Sequence, residues 1–475
     1  MTSSAHRLRK PNLIILLPDQ QRADTVGNPK VHSPNLAKLA SESVIFDRAY
    51  VTQPVCSPSR ASLMTGLWPH TTGCTENGGE IDSRFRVLPE LIADEDYHAG
   101  YIGKWHLGPK ELISRAFDER VSTQGASDYS EFLVSRGLTP DRTEGGFTEL
   151  SVSNLSLELS QPKFLEKRAC EFIERHGRRP FILVVAFVEP HSPYNGPLNS
   201  EHSLDEVDLD LTAEVPLDES VPLRYRLIRE WQKEQALTDS TMRQFYFGVN
   251  QDDYRSLKQK YLGLITLVDE SIGAILGCLE QTGLRENTIV VHTSDHGDML
   301  GAHQLFGKEV MFEEAVRVPY LIRLPGQRHT RIPQPVGHID FVPTLFDLLD
   351  QPMPSQCVGK SLVPLIRGEA MRSENVFIEW SPNWRAKMKK GTSLAPRRSI
   401  KRAIAESTRT VISPDGWKLS LRDKDLNELY NLNDDPRETR NLYYDGQYFG
   451  IISRHADEIH CWQESTRDHC KLPKL

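Results

Sequence analysis

The segment Asn12-Leu13-Ile14-Ile15-Leu16-Leu17 is an uninterrupted apolar run that ends at Pro18-Asp19. Two later segments, Phe181–Phe187 and Thr288–His292, have the same character, because each is short, rich in β-branched and apolar residues, and bounded by polar or turn residues. Such runs are typical of parallel strands that are buried on both faces. Because helix-like sequence separates them, the pattern predicts an α/β fold with a large, mostly parallel central sheet and helices on both faces.

The segments between these runs place apolar residues at helical spacing. The clearest predicted helix is Tyr261–Glu280, in which apolar side chains recur every third or fourth residue. Shorter helices are predicted at Asn35–Glu42, Pro162–His176 and Phe341–Leu349. The alternation of strand-like and helix-like segments continues through most of the chain, and no internal repeat interrupts it.

The C-terminal part of the chain has a different pattern. Short strand-like runs at Thr410–Ser413, Trp417–Leu421 and Glu428–Tyr430 are separated by turn sequences. Closely spaced short strands of this kind predict an antiparallel meander. We therefore predict two units: a large α/β domain over residues 1–374 and a smaller C-terminal subdomain over residues 375–475 with a small antiparallel sheet.

Composition excludes several classes of protein. The 475 residues contain 57 Lys and Arg against 65 Asp and Glu, which gives a net charge of −8, and the sequence pI is about 6.1. We therefore expect no nucleic-acid partner. We also expect no membrane partner, because no apolar run approaches the roughly 20 residues that would span a bilayer. Seven widely scattered cysteines do not form a disulfide framework. The apolar run at Leu13 is too short for a signal peptide, so we expect a cytoplasmic location, or a periplasmic one if the start is truncated.

Two charge runs stand out along the chain. Glu201–Glu219 carries eight acids and no Lys or Arg, whereas Arg385–Arg402 carries eight bases and no acid. Each run is typical of a solvated surface loop. The basic run lies beside Trp380 and Trp384, which suggests a second hypothesis, that it holds an anionic or sugar-containing substrate.

The strongest functional signal is Cys56–Arg60 (Cys-Ser-Pro-Ser-Arg), which continues through Ala61–Gly66. A lone cysteine is most simply a buried structural thiol. The extended stretch, however, resembles the signature of the sulfatases, in which a cysteine is oxidised after translation to formylglycine. The resemblance implies that a formylglycine-generating enzyme modifies Cys56. One hydroxyl of the hydrated aldehyde would attack sulfur, and the other would later collapse to the aldehyde and expel sulfate.

A second block, Ile102–Gly108 (Ile-Gly-Lys-Trp-His-Leu-Gly), resembles the second sulfatase signature. If this segment is extended, Lys104 and His106 point the same way, because alternate side chains of a strand share a face. A cation and an imidazole would then face the same oxyanion. The residues just before the block depart from the family, since Asp96–Ala99 (Asp-Tyr-His-Ala) stands where sulfatases usually have Gly-Tyr-x-Thr.

A metal site is predicted at the ends of two strands. Asp19-Gln20 follows the first strand and Asp295-His296 follows the strand Thr288–His292, and ligand sites of open α/β sheets form at such C-terminal ends. Carboxylate and amide oxygens suit a hard divalent cation, above all Ca²⁺, with Mg²⁺ or Mn²⁺ as alternatives. Imidazole is a poor calcium ligand, but sulfatases resembling this chain carry Asn or His at the place of His296. The resemblance also adds Cys56 to the ligand set.

Three further residues enter through the resemblance. His191, within Glu189–Pro193, resembles the family's histidine near the leaving-group oxygen, and Lys308 resembles the lysine that contacts sulfate from the other side. Asn77 resembles a polar substrate contact of related phosphonate hydrolases. The resemblance spans about Pro11 to Gln351 and implies a sulfatase of the alkaline-phosphatase-like superfamily. Such an enzyme hydrolyses sulfate monoesters of aryl, small-molecule or carbohydrate alcohols, with Arg60, Lys104 and Lys308 offsetting negative charge.

Two alternatives stay open at this stage. Phosphonate monoester and phosphodiester hydrolases share the nucleophile, metal and fold, and His296 and Asn77 are compatible with that class. A binding module that kept the fold and lost catalysis is the other alternative, but Cys56, Arg60 and both predicted metal carboxylates are present. Nothing in the sequence indicates the oligomeric state.

Overall fold

A computed structural model describes residues 10–92, 95–108, 110–382 and 392–474 of the chain. Its strands are β1 (Asn12–Leu16), β2 (Val44–Tyr50), β3 (His98–Gly103), β4 (Glu119–Ser122), β5 (Phe181–Ala186), β6 (Thr288–Thr293), β7 (Arg317–Val318), β8 (Tyr320–Arg323), β9 (Thr330–Gly337), β10 (Val376–Trp380), β11 (Thr408–Ile412), β12 (Trp417–Arg422) and β13 (Glu428–Asn431). Its α-helices are α1 (Pro34–Ser41), α2 (Cys56–Thr65), α3 (Pro69–Thr72), α4 (Leu88–Leu91), α5 (Lys110–Ala116), α6 (Asp128–Ser135), α7 (Glu149–Ser153), α8 (Gln161–His176), α9 (Leu223–Thr238), α10 (Ser240–Phe245), α11 (Gln251–Gln281), α12 (Glu313–Val316), α13 (Phe341–Leu348), α14 (Val363–Ile366), α15 (Arg397–Ile404) and α16 (Phe449–Thr466).

The first nine strands form one sheet in the order β4-β3-β5-β1-β6-β8-β2-β7, with β9 beside β2. From β4 to β6 every pairing is parallel. On the other side of β6 the sheet is mixed, because β8 runs antiparallel to both β6 and β2 while β9 runs parallel to β2. The predicted fold class, a mostly parallel sheet with helices, is confirmed.

The first strand shows why the sheet needs helices on both faces. Leu13 and Ile15 belong to a core cluster that includes residues of α2 and α13. Ile14 and Leu16 belong to a second cluster that includes residues of α8 and α11. Each fully buried side chain of this kind contributes about 1.5–3 kcal/mol of hydrophobic free energy, so removing either helical layer would expose one half of the strand.

Helix α11 is longer than predicted, because it begins at Gln251 rather than at Tyr261. Asn250 caps it by accepting the Asp253 N–H, and the Asp253 side chain returns to the Asn250 backbone. Among the described residues, α11 has the length and composition of a membrane-spanning helix. Its apolar side chains, however, pack against α8 and β1 inside the core, so the fold already explains their hydrophobicity.

The C-terminal strands form a separate antiparallel sheet in the order β10-β11-β12-β13. The three predicted strands of the meander are present, but β10 was not predicted. Its sequence, Val-Phe-Ile-Glu-Trp, includes the buried Glu379, whose carboxylate pairs with His70 and Arg409. Helix α16 packs Ile452 and Ile459 onto one face of this sheet. The boundary between residues 374 and 375 stays a prediction.

Candidate active site

The predicted site residues meet at the C-terminal ends of the parallel strands, around the start of α2. All ten residues of α2 are buried, and Cys56 occupies its first position. Asp19 and Gln20 follow β1, Lys104 and His106 follow β3, His191 follows β5, and Asp295, His296 and Lys308 follow β6. This edge of an open α/β sheet is where ligand sites form, so the arrangement agrees with the strand-end argument.

Arg60 links the two carboxylates of the site. Its Nε donates to Asp295 Oδ2 at 2.7 Å and its Nη2 to Asp19 Oδ2 at 3.2 Å, while Nη1 donates to the Lys104 carbonyl at 2.8 Å. The Lys104 ammonium contacts the same Asp19 oxygen. Burial alone would raise the pKa of Asp19, but Lys104, His191 and Arg60 outweigh it and hold that pKa well below its usual range.

Cys56 lies among positive charges. Its Sγ is 3.2 Å from His296 Nε2, 3.8 Å from Asp19 Oδ1 and 3.9 Å from Lys104 Nζ. Burial would raise the pKa of the thiol, but the charges of Lys104 and Lys308 lower it well below its ordinary value. The side chain at position 56 is therefore held where negative charge is stabilised, as a nucleophile requires.

Four side chains are suitably placed to hold a metal ion. Asp19, Cys56, Asp295 and His296 each offer a ligand atom, and these atoms lie within 4.8 Å of one another. His296 Nδ1 donates to the Gly297 carbonyl at 2.9 Å, which leaves the Nε2 lone pair facing the two carboxylates. The donor set therefore fits a divalent cation.

Gln20 adjoins this set and is held by several contacts. Its backbone N–H donates to Asp295 Oδ1 at 3.1 Å, its Oε1 accepts a hydrogen bond from Lys308 Nζ, and its Nε2 donates to Asp298. An amide oxygen has two lone pairs, so Gln20 Oε1 can bind a cation while it positions Lys308. Its backbone adopts φ +71°, a strained conformation for a residue with a side chain.

Asp298 is a supporting residue that sequence reasoning missed. Besides Gln20, it accepts hydrogen bonds from Tyr194 Oη at 2.5 Å and from the N–H groups of Leu300 at 2.8 Å and Gly307 at 2.9 Å. The fully buried carboxylate thus fixes Gln20 and the loop that carries Lys308. The sequence near Asp298 indicated this role only by an acidic residue two positions after His296, because Gln20 and Tyr194, which contact it, are distant in sequence.

The second sequence block reaches the site in a different conformation from the one predicted. Strand β3 ends at Gly103, and His106 adopts φ +56°, so the extended geometry expected for Lys104–His106 is wrong. Both side chains nevertheless act at Cys56: the Lys104 ammonium lies 3.9 Å from its Sγ, and Lys104 and His106 both lower the pKa of its thiol. Only glycine fits at position 103, because a Cβ there would lie 2.0 Å from the Ala186 carbonyl oxygen.

Asn77 supports the start of α2. Its Oδ1 accepts the Ser57 N–H at 3.0 Å, one of the donors that a helix start leaves without a helical partner. Ser57 Oγ in turn donates to the His106 carbonyl at 2.6 Å and accepts the Gly78 N–H at 3.3 Å. The described contacts therefore give Asn77 a positioning role beside Cys56, and its predicted contact with substrate stays a prediction.

A cavity of about 140 Å³ opens beside the cluster, where Lys104, Glu189 and His191 form part of its wall. His191 Nδ1 donates to the Ser192 carbonyl at 2.6 Å, which leaves Nε2 for other partners. Three oxygens of wall residues have no hydrogen-bond partner among the described residues: Glu189 Oε2, Gln161 Oε1 and Thr123 Oγ1. Burial and the nearby Asp19 charge raise the pKa of Glu189 to about 7.

The basic run does not contribute to this cavity as far as the chain is described. Residues 383–391, which include Trp384 and Arg385, lie outside the described residues. The remaining bases are exposed on α15 and are not among the residues that line the cavity. Trp380 is buried with the Arg224 guanidinium 4.4 Å from its ring centroid, so its ring is not available to a substrate. The hypothesis that the basic run holds an anionic or sugar-containing substrate beside Trp384 stays a prediction.

A buried cysteine at the start of a helix, facing acids and bases at the ends of parallel strands, is consistent with a hydrolase of the alkaline-phosphatase-like superfamily. The sequence model of the family described as Sulfatase matches residues 11–351. The chain therefore belongs to the sulfatase family, and it is a sulfuric ester hydrolase.

Known proteins similar to this chain extend over nearly all of it. Choline-sulfatase of Rhizobium meliloti is 28% identical over 463 residues, covering 91% of this chain and 82% of the relative. N-acetylglucosamine-6-O-sulfatase of Bacteroides thetaiotaomicron is 26% identical over 498 residues, covering 93% and 84%. The solved structure of a phosphonate monoester hydrolase from Silicibacter pomeroyi superposes with a TM-score of 0.81 at 21% identity, covering 97% and 96%. That structural likeness shows the fold alone.

Proposed function

We propose that the chain hydrolyses sulfate monoesters through a formylglycine formed at Cys56. A divalent cation, Ca²⁺ in first place, would be held by Asp19, Gln20, Asp295 and His296. The observation that carries the proposal is the placement of Cys56 Sγ within 4 Å of His296, Asp19 and Lys104 at the buried start of α2. Maturation would be carried out by a formylglycine-generating enzyme with an external oxidant.

The charges of the site suit a sulfate ester. Asp19 and Asp295 are already matched by Arg60 and Lys104 in direct contacts, and Lys308 lies close by. When bound, the cation would supply Lewis-acid polarisation of a sulfuryl oxygen and would depress the pKa of an adjacent hydroxyl group. With that added charge the site is net positive, as binding an anion and stabilising charge in its transition state require.

Different side chains of the site are placed to carry out the separate proton transfers. When hydrated, formylglycine would supply one hydroxyl group to attack sulfur, its proton passing to Asp295, and a second whose deprotonation would re-form the aldehyde and release sulfate. His106 acts on the side chain at position 56 by lowering its pKa, so it is placed to take that second proton. His191 faces the neighbouring cavity with Nε2 available, so it is placed to protonate the departing oxygen. Lys104 and Lys308 would stabilise the sulfuryl oxygens from two sides.

The cavity beside His191 favours a leaving group with hydroxyl groups. A buried polar atom that lacks a partner costs about 1–3 kcal/mol, and Glu189, Gln161 and Thr123 each present such an oxygen. The ring of an aryl sulfate offers these oxygens no donor, whereas a carbohydrate offers several. The sulfated sugar named for one relative supports the same choice. We therefore propose a small carbohydrate sulfate as the substrate class.

The phosphonate monoester hydrolases remain the second candidate, because the superposed structure shares the fold. The test uses protein produced with a formylglycine-generating enzyme and assayed with Ca²⁺ on a monosaccharide sulfate, an aryl sulfate and an aryl phosphonate monoester. We expect kcat/KM to favour the aryl sulfate over the phosphonate by about 100-fold, or about 2.7 kcal/mol. Preference for the phosphonate would overturn the substrate class while keeping nucleophile and metal.

A matched pair of variants tests the leaving group separately. Glu189→Gln removes the anionic acceptor from the cavity wall, whereas Glu149→Gln makes the same change at an exposed carboxyl of that wall. We expect Glu189→Gln to lower kcat/KM about tenfold on the monosaccharide sulfate, or about 1.4 kcal/mol, and to leave the aryl sulfate within twofold. Equal losses on both substrates would contradict the carbohydrate assignment.

A further inference from the structure

A second group of metal-binding side chains lies at the opposite end of the main sheet. His98 begins β3, Glu119 begins β4 and His176 ends α8. One ligand atom from each lies within 4.8 Å of the others. Because His98 and Lys104 stand at opposite ends of β3, a rise of about 3.3 Å per residue places this group roughly 20 Å from the catalytic cluster.

The three side chains converge on one carboxylate oxygen. Glu119 Oε1 is 3.1 Å from His98 Nε2 and 2.6 Å from His176 Nε2. The centroids of the two imidazole rings are 4.1 Å apart. Ligand atoms of a tetrahedral zinc site lie about 3.3–3.4 Å apart when the metal bonds are about 2.0–2.1 Å. The His98–Glu119 separation is close to that value, whereas the His176–Glu119 separation would have to widen by about 0.7 Å.

The contact between His176 and Glu119 is not a hydrogen bond. Although His176 Nε2 is close to Oε1, it has no hydrogen-bond partner among the described residues, so the two groups are near each other without being aligned. Glu119 and His176 are only partly buried, which leaves a path for an ion.

Neighbouring groups orient two of the three side chains, the His98 imidazole and the Glu119 carboxylate. Asp118 Oδ2 lies 3.2 Å from His98 Nδ1, and the Ala99 N–H donates to the same carboxylate at 2.8 Å. His98 Nε2 donates to Glu119 Oε1 at 3.1 Å. Binding a metal would displace that proton, and the Asp118 carboxylate beside Nδ1 is placed to favour the ring proton there, as in carboxylate–histidine–zinc sites. Arg175 Nη2 lies 2.9 Å from Glu119 Oε2, the carboxylate oxygen that does not face the two histidines, and so orients the Glu119 side chain.

We propose that His98, Glu119 and His176 form a second metal site, for Zn²⁺ or a similar divalent transition metal. Two imidazoles and one carboxylate are a zinc-type donor set, whereas Ca²⁺ prefers oxygen ligands throughout. The ion would tie β3, β4 and α8 together at the edge of the sheet. His98 also lies in Asp96–Ala99, the stretch that departs from the usual sulfatase pattern, so the site would belong to this chain and not to the family at large.

The first experiment measures bound zinc in the whole enzyme by equilibrium dialysis with excess Ca²⁺ present for the catalytic site. The double variant His98→Gln/His176→Gln is compared with the wild type and with His329→Gln. His329 is the control, because it is a histidine outside both proposed metal sites, exposed to solvent, with Nδ1 3.0 Å from the Ala40 and Ser43 carbonyls. We expect the wild type and the control to hold one more equivalent of Zn²⁺ than the double variant. Equal zinc contents would overturn the proposal.

A second variant keeps the test informative if the double variant fails to fold. Glu119→Gln preserves size and hydrogen bonding but removes the anionic ligand, so we expect the dissociation constant for Zn²⁺ to rise at least tenfold. Zinc should also raise the Tm of the wild type and not that of Glu119→Gln, while kcat stays the same in both. A Tm shift of the same size in both proteins would overturn the proposal.

Discussion

Two buried ionic clusters of this protein use the same kinds of side chain and differ in what their carboxylates contact. The catalytic cluster consists of Asp19, Arg60, Lys104 and Asp295 around Cys56. The Arg422 cluster consists of Arg224, Glu406, Arg422 and Glu428, between α9 and the C-terminal sheet. Both contain two cations and two anions that are almost fully shielded from solvent, so charge and burial do not distinguish them.

In the Arg422 cluster every carboxylate oxygen has a protein partner. Glu406 pairs with Arg224 at 2.6 Å and accepts a hydrogen bond from Thr408 at 2.6 Å. Glu428 pairs with Arg422 at 2.5 Å and accepts one from Tyr430 at 2.7 Å. The carboxylates therefore need no further ligand, and the Arg422 Nε, which has no hydrogen-bond partner among the described residues, lies 3.8 Å from Glu406. This cluster fixes how the helix and sheet pack.

In the catalytic cluster the cations satisfy one side of the carboxylates only. Asp19 Oδ2 is taken by Arg60 and Lys104, but Asp19 Oδ1 faces Cys56 Sγ at 3.8 Å and His296 Nε2 at 3.6 Å. The Cys56 thiol and the His296 ring reach this oxygen only at these long distances, which leaves room for an ion and a reacting group. The comparison teaches that unfilled coordination, more than buried charge, identifies the functional cluster.

The largest expected effect is a loss of kcat when the catalytic cluster is changed. Cys56→Ala should lower kcat by about 10⁴-fold or more, because it removes the nucleophile, while the Tm stays close to that of the wild type. Cys74→Ala is the matched control, since burial raises the pKa of that thiol to about 12 and no lysine faces it in the contacts described. It should retain activity. Normal turnover of Cys56→Ala would remove the proposed nucleophile from the mechanism.

The next effect is a loss of stability, without a loss of kcat, when the Arg422 cluster is changed. Arg422→Met leaves buried carboxylates without their cation, so the free energy of unfolding should fall by about 3–5 kcal/mol, measured by denaturant titration. The kcat per folded molecule should change less than twofold. Lys424→Met, at an exposed lysine two residues away, should cost at most about 1 kcal/mol. A loss of kcat in folded Arg422→Met would mean that the Arg422 cluster also serves catalysis.

The same contrast shows which features could be predicted from the sequence. Asp19 and Asp295 were predicted because apolar runs reveal parallel strands, and the ends of such strands meet in space. Asp298 and the Arg422 cluster were not, because their contacts join residues far apart in the chain. Asp298 meets Gln20 across 278 positions, for example, and Arg422 meets Tyr225 across 197. Local periodicity contains no information about which buried charges will meet.

Chain conformation limited the prediction in a second way. The motif around Lys104 and His106 was found, but its extended geometry was not correct, since the positive φ of His106 depends on contacts with the rest of the site. Strand β10 was missed for a related reason. Its buried Glu379 interrupts the apolar pattern, and only the contacts with His70 and Arg409 make that burial acceptable.

Removal of the metal should produce a smaller effect confined to the catalytic cluster. Chelation should abolish turnover and lower the free energy of unfolding by about 2.7 kcal/mol relative to enzyme with Ca²⁺ at 100 times its Kd. His296→Gln should need at least ten times more Ca²⁺ for half-maximal activity, whereas Lys424→Met should need the same amount as wild type. If chelation leaves activity unchanged, the catalytic cluster works without a metal and the contrast drawn above fails.

The smallest effect concerns Glu189, which lies next to the catalytic cluster but lacks a cation of its own. Its pKa in the folded protein is about 7 because of burial, against an ordinary value of 4.5. Between these values the folded protein binds the extra proton, so wild-type stability falls as pH rises from 4.5 to 7. Glu189→Gln lacks this loss, and its Tm relative to wild type should therefore increase from pH 5 to pH 8, by an amount equivalent to about 2–3 kcal/mol.

Two features of the molecule decide whether that result can be assigned to Glu189. Asp19 and Lys104 are the charged groups that act on it. Lys104 and Arg60 hold Asp19 in its ionised form, and Asp19 in turn holds Lys104 in its ionised form, so neither group titrates over this range. Glu149→Gln changes an exposed carboxyl of the same cavity, so its Tm should follow the wild type at every pH. A constant difference between Glu189→Gln and wild type would show that Glu189 is already ionised in the folded protein, and its unpartnered oxygen would then call for a cationic leaving group.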